Sequence, residues 1–369
     1  MQSLALSQTE RHLLDVVRRK PGISRSAITA HMLVSQQTVH RMLDGLALRG
    51  LVRFTDAVIS GRGKPSPGVE LVPNARYSVG VSVNTDEVML SLADLSCAPV
   101  VEQRVATDPS SVTQCLSDIR AHFDALLETR AIDPSRVLGI GLSLSGFKSG
   151  KPGHFVPPVP LSDWVHRDLR EDVSKAFAHP VWLENNATAG AIGEAMVGAG
   201  LVHDTFAYLS FNYGFGCGLI NRCEALAGGF GNAGEIGRIY RPEELERRPA
   251  MGELLKRLRT RGIDCATIGE FIRRYDPSWP GIEDWLDEVT PQLQLAVRGL
   301  VAVFDPSAIV FGGEAPVDLR QRLIARCAFP AFDRLGVPVP SPELLNSAMT
   351  SDPAAFGAAL VPLKATVLI

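Results

Sequence analysis

The first fifty positions carry three short apolar stripes with helical spacing, separated by turn residues. The first stripe lies in residues 7–20, which open with the capping box Ser7-Gln8-Thr9-Glu10 and end before Pro21-Gly22. Ser24 caps a short second helix, and Ser35 caps a third that extends to about residue 49. Three short helices with a tight turn before the third predict a helix-turn-helix.

The third helix is apolar on one side, at Val39, Leu43 and Leu46, and polar or basic over the other side of its first turns. In a helix-turn-helix these turns enter the major groove of DNA. We therefore predict that the side chains facing away from the core contact DNA, namely Gln36, Gln37, Thr38, His40 and Arg41.

Two short apolar runs, residues 51–54 and 69–72, follow the third helix and predict paired strands. Between them lies the basic tip Ser60-Gly61-Arg62-Gly63-Lys64-Pro65. Such a tip predicts a wing in which Arg62 and Lys64 contact phosphates or a minor groove. A helical bundle used for dimerisation is the alternative. The agreement of caps, turn, polar face and basic tip favours DNA binding.

From residue 77 the pattern changes to runs typical of strands alternating with helices. A hairpin is predicted over residues 77–94, a helix over about 110–130 and a strand over 137–144. A further strand covers 205–211, and residues 242–300 predict helices with Trp285 and Leu286 facing inward. A last apolar helix, about 354–364, is expected to fold back onto the first lobe. This alternation predicts an α/β body.

Two polar clusters interrupt the apolar pattern of this body. The strand beginning at Val181 ends in Glu184-Asn185-Asn186, and the small residues after it are expected to let a helix pack close against that sheet. About 45 residues later, Gly231-Asn232-Ala233-Gly234-Glu235-Ile236-Gly237-Arg238 places a carboxylate and a cation on a glycine-shaped turn. Carboxyl ends of strands bind ligands in open α/β sheets, so these clusters predict a polyhydroxylated ligand.

Charge and cysteine content narrow the class of protein. Residues 1–76 carry 11 Lys+Arg against 5 Asp+Glu and the remainder 26 against 35, so a net charge of −3 conceals a basic head on an acidic body. The six cysteines are scattered, and no signal peptide or run of about 18 apolar residues is evident. We expect a cytoplasmic chain with reduced thiols, without a membrane span. Cys217 and Cys223 are read as buried small hydrophobes rather than a hairpin disulfide.

The two clusters resemble those of the ROK (repressor, open reading frame, kinase) family, which contains sugar kinases and sugar-responsive repressors. The residues 305–314, Asp-Pro-Ser-Ala-Ile-Val-Phe-Gly-Gly-Glu, resemble its late strand and Gly-Gly turn, and the head resembles its repressors' winged helix. The resemblance implies an actin-like fold in which Ser145 and Gly146 belong to a loop over the sugar. It also places a Pro-rich stretch before Trp164, which is either a sugar-stacking ring or, more commonly, a packing anchor.

Four features depart from the family's kinases. Their Glu-Asn-Asp supplies the catalytic base, but this chain has Asn186, and an amide is no general base near neutral pH. Where the kinases have an Asp-x-Gly-x-Thr turn, this chain has Val-Ser-Val-Asn-Thr at residues 81–85. Where they have a Gly-Thr pair, it has Asn212-Tyr213. The family's zinc-binding cysteine loop is missing from this chain, and Arg238 stands where the family has a histidine. Glu253 is considered as a substitute for a sugar-binding glutamate that follows that loop. Gly229–Gly234 matches a dinucleotide fingerprint but opens no predicted helix.

These observations predict an α/β fold with a winged helix-turn-helix over residues 1–74 and a two-lobed actin-like, ribonuclease H-like domain over 75–369. The small lobe is expected over 75–184 with the C-terminal helix 352–369, and the large lobe over 185–351. No enzymatic activity, cofactor or metal is predicted. The sugar is expected to contact Ser145, Gly146, Asn185, Asn186, Glu235 and Arg238.

We predict that the protein is a transcriptional regulator, most simply a repressor, of genes for carbohydrate uptake or catabolism. It binds a palindromic double-stranded operator as a homodimer or homotetramer and senses a sugar or sugar phosphate. Arg238 either binds an anionic group of that ligand or pairs with Glu235. The alternatives are an active sugar kinase with a different base, and a regulator controlled by a protein such as a transport component.

Overall fold

The computed structural model describes residues 5–58, 66–327, 333–349 and 352–369. The head consists of the elements α1 (Gln8–Arg19), β1 (Ile23–Ser24), α2 (Arg25–Thr29), α3 (Gln36–Leu48), β2 (Val52–Val58) and β3 (Ser66–Leu71). The predicted caps form, because Ser7, Ser24 and Ser35 each accept a hydrogen bond from the backbone three residues later. The three strands make a small antiparallel sheet beside the helices, which confirms the winged helix.

The first lobe of the body is built on a five-stranded mixed sheet in the order β10-β7-β4-β5-β6. Its elements are β4 (Tyr77–Val83), β5 (Val88–Asp94), β6 (Pro99–Val105), α4 (Val112–Thr129), β7 (Val137–Leu144), β8 (Phe147–Lys148), β9 (Phe155–Val156), α5 (Leu169–Phe177) and β10 (Val181–Asn185). β10, β7 and β4 are parallel, while β5 and β6 continue the sheet in antiparallel fashion. The carboxyl ends of the parallel strands therefore share one edge.

The second lobe has a sheet of the same design, in the order β13-β12-β11-β14-β17. Its chain segment contains α6 (Asn186–Val197), β11 (Phe206–Phe211), β12 (Phe215–Asn221), β13 (Glu224–Ala225), α7 (Met251–Thr260), α8 (Ile268–Arg274), α9 (Ile282–Phe304), β14 (Ala308–Gly313), α10 (Val317–Ala325), β15 (Asp333–Arg334), β16 (Val337–Pro338), β17 (Glu343–Asn346) and α11 (Pro353–Thr366). β11, β14 and β17 are parallel, and β12 and β13 are antiparallel. The repeated order is that of a duplicated, actin-like fold.

The helix that follows each sheet packs on the opposite lobe. α11 follows the second sheet and lies on β4 and β7 of the first, as predicted for the C-terminal helix. α6 follows the first sheet but packs mainly on β11 and β12 of the second, so the prediction that it packs against its own sheet is wrong. The reason is that the chain crosses between lobes after Asn185. A Cβ on Gly218 would stand 2.6 Å from the Ala187 carbonyl oxygen, so the small residues serve this crossing.

α6 and α11 also pack on each other at the centre of the body, where their backbones nearly touch. A Cβ on Gly357 would stand 2.5 Å from the Ala189 carbonyl carbon, so only glycine permits this approach. The head joins the same apolar core, because Leu13, Leu14 and Val17 of α1 belong to one buried cluster with residues of both helices. No helix in the described ranges is long and apolar enough to cross a membrane.

Candidate functional site

The predicted ligand residues gather around two adjoining cavities between the lobes, at the N-terminal ends of α6 and α11. We call the smaller one, about 130 Å³, the inner chamber; it is lined by Ser145, Gly146, Asn185, Asn186 and Glu235 among others. The larger one, about 440 Å³, is the outer cavity, and it contains Arg238. The residues that line both are Ser145, Gly146, Asn212, Gly214, Phe215 and Glu235. Residues from sequence positions almost 100 apart therefore meet in one cleft.

Asn185 holds the shape of the cleft rather than presenting a free side chain. Its carboxamide oxygen accepts from the Ala187 backbone at 2.8 Å and so caps α6. Its amide nitrogen donates to the carbonyl oxygen of Gly146. Gly146 has a φ of +115°, and a Cβ there would stand 2.5 Å from the Val156 carbonyl oxygen. A side chain at this position is therefore excluded.

Asn186 is buried, and its amide nitrogen is committed to the protein. This nitrogen donates to the side-chain oxygen of Asn84 at 2.6 Å and to the Ser145 hydroxyl at 3.0 Å, and it lies 3.4 Å from the Val83 carbonyl oxygen. The carboxamide oxygen of Asn186 is buried and has no hydrogen-bond partner. Asn186 is among the residues that line the inner chamber, and an unsatisfied buried oxygen there favours a hydrogen-bond donor nearby.

Glu235 and Arg238 lie on the turn that ends the second polar cluster. Burial raises the pKa of Glu235, and the nearby positive charge of Arg238 partly offsets that rise. The two side chains interact through their charges without an ion pair within 4 Å in the described structure, and the role of Arg238 stays a prediction. Glu235 is oriented by Gly234, whose φ of +90° places the turn against β12.

Four carboxyl groups, which the sequence analysis did not predict, cluster on the far side of Asn84. Asn84 donates to Glu314 at 3.1 Å and lies 3.4 Å from Asp352, while Asp86 accepts from the Ile268 backbone at 2.7 Å. Burial and the charges of Asp352, Asp86 and Glu87 raise the pKa of Glu314 well above its ordinary value. Burial likewise raises the pKa of Asp352, which caps α11. These positions have no common spacing, so no sequence pattern could have grouped them.

Several other predicted candidates lie outside the cleft. Glu184 points to Lys148 in an ion pair at 3.0 Å, and Glu253 pairs with Lys256 at the same distance beside another cavity. The suggestion that Glu253 replaces a sugar-binding glutamate is therefore wrong. Trp164 is fully buried and donates from its indole nitrogen to the Pro109 carbonyl oxygen at 2.8 Å. It is a packing anchor, and it does not stack on a ligand.

The side of α3 that the sequence predicts to contact DNA is exposed in part. Gln36, Gln37 and Arg41 are exposed, and Arg41 makes no ion pair or hydrogen bond with another residue in the described part of the chain. Thr38 and His40 are half-buried; the Thr38 hydroxyl lies 2.9 Å from that of Ser35. Arg62 and Lys64 lie outside the described residues. Sequence reasoning missed Leu33, which is fully exposed in the turn before α3.

The head is bonded directly to the two central helices. The Arg11 guanidinium in α1 donates to the Lys364 and Leu368 carbonyl oxygens, each at 2.5 Å, at the end of α11. Arg18 donates to the Met196 carbonyl oxygen at 2.6 Å, at the end of α6. α6 therefore begins at the inner chamber and α11 begins behind Asn84, which Asp352 contacts, and both helices end at the head.

A larger cavity, about 730 Å³, lies between the head and α11, but its charged side chains are already satisfied. Lys364 pairs with Glu224 at 2.8 Å, and Arg11 bonds to the carbonyl oxygens described above. We therefore do not regard this cavity as the ligand site.

Comparisons with known proteins agree with this architecture. The model of the ROK family matches residues 78–361, and a MarR family model matches residues 6–63. The protein y4fQ of Sinorhizobium fredii is 25% identical over 97% of this chain and 91% of its own length. The xylose repressor of Bacillus subtilis is 29% identical over 64% of this chain, and the match spans only 62% of the repressor.

Among solved structures, a ROK family transcriptional regulator, a homologue of the MLC protein of E. coli, has a TM-score of 0.68 at 17% identity. The alignment covers 97% of this chain and 95% of the other, so the similarity of fold includes both the head and the body. With most of the body matched by one family model, the chain belongs to the ROK family.

Proposed function

We propose that this protein is a transcriptional regulator, acting as a repressor of genes for carbohydrate uptake or catabolism, whose DNA affinity is set by a sugar derivative bound in the cleft. The observation that carries the proposal is that α6 and α11 both connect the cleft to the head. α6 begins at Asn186, α11 begins at Asp352 next to Asn84, which bonds to Asn186, and an arginine of α1 donates to a carbonyl oxygen at the end of each helix.

The head contributes the DNA-binding surface. The exposed residues Gln36, Gln37 and Arg41 of α3 contact base edges or phosphates in the major groove, and half-buried Thr38 and His40 flank them. Four of the head's acidic groups neutralise other arginines, as in the Arg25–Asp44 and Arg53–Glu70 pairs, which leaves Arg41 available for DNA. Arg62 and Lys64 of the wing add affinity through phosphates. A homodimer or homotetramer places two heads on a palindromic operator.

The cleft contributes the sensor. The oxygen of Asn186, the Ser145 hydroxyl and the Glu235 carboxylate offer acceptors around the inner chamber, while Asn185 and Gly146 set its shape. A ring of hydroxyl donors satisfies these acceptors. A ligand shifts the equilibrium between two arrangements of the lobes only by the difference between its affinities for the two arrangements. Movement at the N-terminal ends of α6 and α11 then reaches the head through Met196, Lys364 and Leu368.

The proposal includes the absence of phosphotransfer in the cleft. The Asn186 amide donates to Asn84 and Ser145, so its neighbours are arranged for an N–H donor at a position where a kinase needs a carboxylate base. Beside it, Glu314 and Asp352 with Asp86 and Glu87 concentrate acidic groups next to the turn that receives phosphate in the family's kinases.

The test is fluorescence anisotropy of the full chain with DNA from its own upstream region, with and without a panel of sugars and sugar phosphates. We expect specific binding at a palindrome that one class of compound changes at least tenfold. Binding that no compound alters would overturn the sensor and favour control by a protein partner. Sugar-dependent ATP turnover in a coupled assay would instead establish a kinase.

A further inference from the structure

The outer cavity has chemical features that a neutral monosaccharide in the inner chamber would not use. It has about three times the volume of the inner chamber, 440 Å³ against 130 Å³, and adjoins it through Ser145, Gly146 and Glu235. A cavity of this size is in the ordinary range for bound small molecules. A ligand that fills both cavities must carry a substituent beyond its ring.

Two arginines on the wall of the outer cavity indicate the charge of that substituent. Arg238 is exposed and Arg248 is half-buried, and neither guanidinium makes an ion pair or a side-chain hydrogen bond within the described residues. The single acidic residue on the same wall is Glu235, which also lines the inner chamber. None of the four clustered carboxyl groups lines either cavity. The wall therefore presents more positive than negative charge to a ligand.

The rest of the wall is largely apolar, with Phe147, Val156, Pro157, Pro158, Tyr213 and Leu245. Partly enclosed guanidinium groups beside apolar surface bind anions more strongly than guanidinium groups in open water, because screening by solvent is reduced. The planar guanidinium also matches carboxylate and phosphate oxygens in a bidentate manner. A neutral sugar offers these two side chains only hydroxyl oxygens, which accept single hydrogen bonds but carry no compensating charge.

We propose that the effector is an anionic sugar derivative, with its ring in the inner chamber and a carboxylate or phosphate held by Arg238 and Arg248. This inference rests on the proposed sugar sensor and specifies its ligand. Asn186, whose buried oxygen has no hydrogen-bond partner, also lines the inner chamber and favours a ligand with hydroxyl donors. Arg248 then determines the preference for a charged ligand over its neutral parent.

The test is calorimetric titration of the full chain with matched sets: a neutral hexose, its uronic acid and its 6-phosphate, for glucose, galactose and mannose. Xylose and inorganic phosphate are added as a neutral pentose and a free anion. We expect one charged member to bind at least tenfold more tightly than its neutral parent, with an affinity that falls as salt rises. Preference for the uronic acid or for the phosphate identifies which anion the site takes.

The Arg248→Gln variant should lose at least tenfold in affinity for the charged member and almost nothing for the neutral parent. Arg247→Gln is the matched control, because Arg247 is exposed, precedes Arg248 and lines neither cavity. Equal affinity for neutral and charged members would overturn the anionic ligand while leaving the sugar sensor intact. Binding of inorganic phosphate alone with the same affinity would also overturn it, and binding of no compound would overturn both proposals.

Discussion

The contact between α6 and α11 gives a quantitative prediction about the centre of the molecule. In Gly357→Ala, the new Cβ would stand 2.5 Å from the Ala189 carbonyl carbon and 3.1 Å from the Gly190 backbone nitrogen. Unbonded heavy atoms prefer about 3.5 Å, so α11 must withdraw by about 1 Å. Both neighbouring atoms belong to helix backbone and cannot rotate aside.

The cost of this withdrawal is about 3 kcal/mol, at the upper end of the range for overpacked cores. For a chain of 369 residues the entropy of unfolding is about 0.8 kcal/mol per degree, so the melting temperature should fall by about 4 °C. Differential scanning calorimetry of the full chain measures this shift. Gly299→Ala is the matched control, because Gly299 lies inside α9 and a Cβ there meets nothing within 4 Å.

The control should gain about 0.5–1 kcal/mol from the better helix propensity of alanine, which raises the melting temperature by about 1 °C. The two variants carry the same chemical change in two helices and are expected to shift in opposite directions. If Gly357→Ala, like Gly299→Ala, has a melting temperature at or above that of the wild type, then α6 and α11 are not in backbone contact. The proposed coupling of the cleft to the head through these helices then loses its support.

Three further changes test the head, the cleft and its acidic neighbours. Arg41→Gln should weaken binding to all DNA sequences and reduce the salt slope by about 1 if the side chain meets a phosphate; anisotropy at several salt concentrations measures this, with exposed Arg130→Gln on the body as control. Asn186→Asp removes the N–H donor to Asn84 and should cost roughly 1–3 kcal/mol without creating sugar-dependent ATP turnover, as measured by calorimetry and a coupled assay. Glu314→Gln should raise the melting temperature at pH 8 and leave it unchanged near pH 4.

The sign of the last prediction follows from the raised pKa of Glu314, which burial and neighbouring carboxylates cause. A raised folded-state pKa contributes stability below the ordinary carboxyl pKa of about 4.3, and that contribution is lost as the pH rises through the raised value. The amide keeps an acceptor for Asn84 and removes the titration. A variant whose stability falls with pH as steeply as that of the wild type would contradict the assignment.

The sequence predicts those parts of the fold that depend on local rules. Caps at Ser7, Ser24 and Ser35 form as expected, because each needs only its own backbone three residues later. The destination of α6 was not predictable, since its small residues suit close packing on any neighbour. Only the crossing of the chain between lobes selects β11 and β12.

The cleft, like the fold, has parts that the sequence predicts and parts that it does not. The two polar clusters could be found from the chain, because strand ends and glycine turns have recognisable patterns. The hydrogen bond between Asn84 and Asn186 could not be found in this way, because the two residues are 102 positions apart. In the sequence they resemble two separate losses of kinase chemistry. In the structure they form one hydrogen-bonded unit, which a single-site comparison with kinases does not reveal.

The core shared by head and body has a consequence for protein engineering. Leu13, Leu14 and Val17 pack in the same cluster as α6 and α11, and Arg11 and Arg18 bond to the ends of those helices. A chimera that joined this body to the winged helix of another protein would expose that cluster unless α1 were kept. Under the proposed function, operator specificity should be exchangeable by substitutions on the outer face of α3, whereas α1 must be kept with the body.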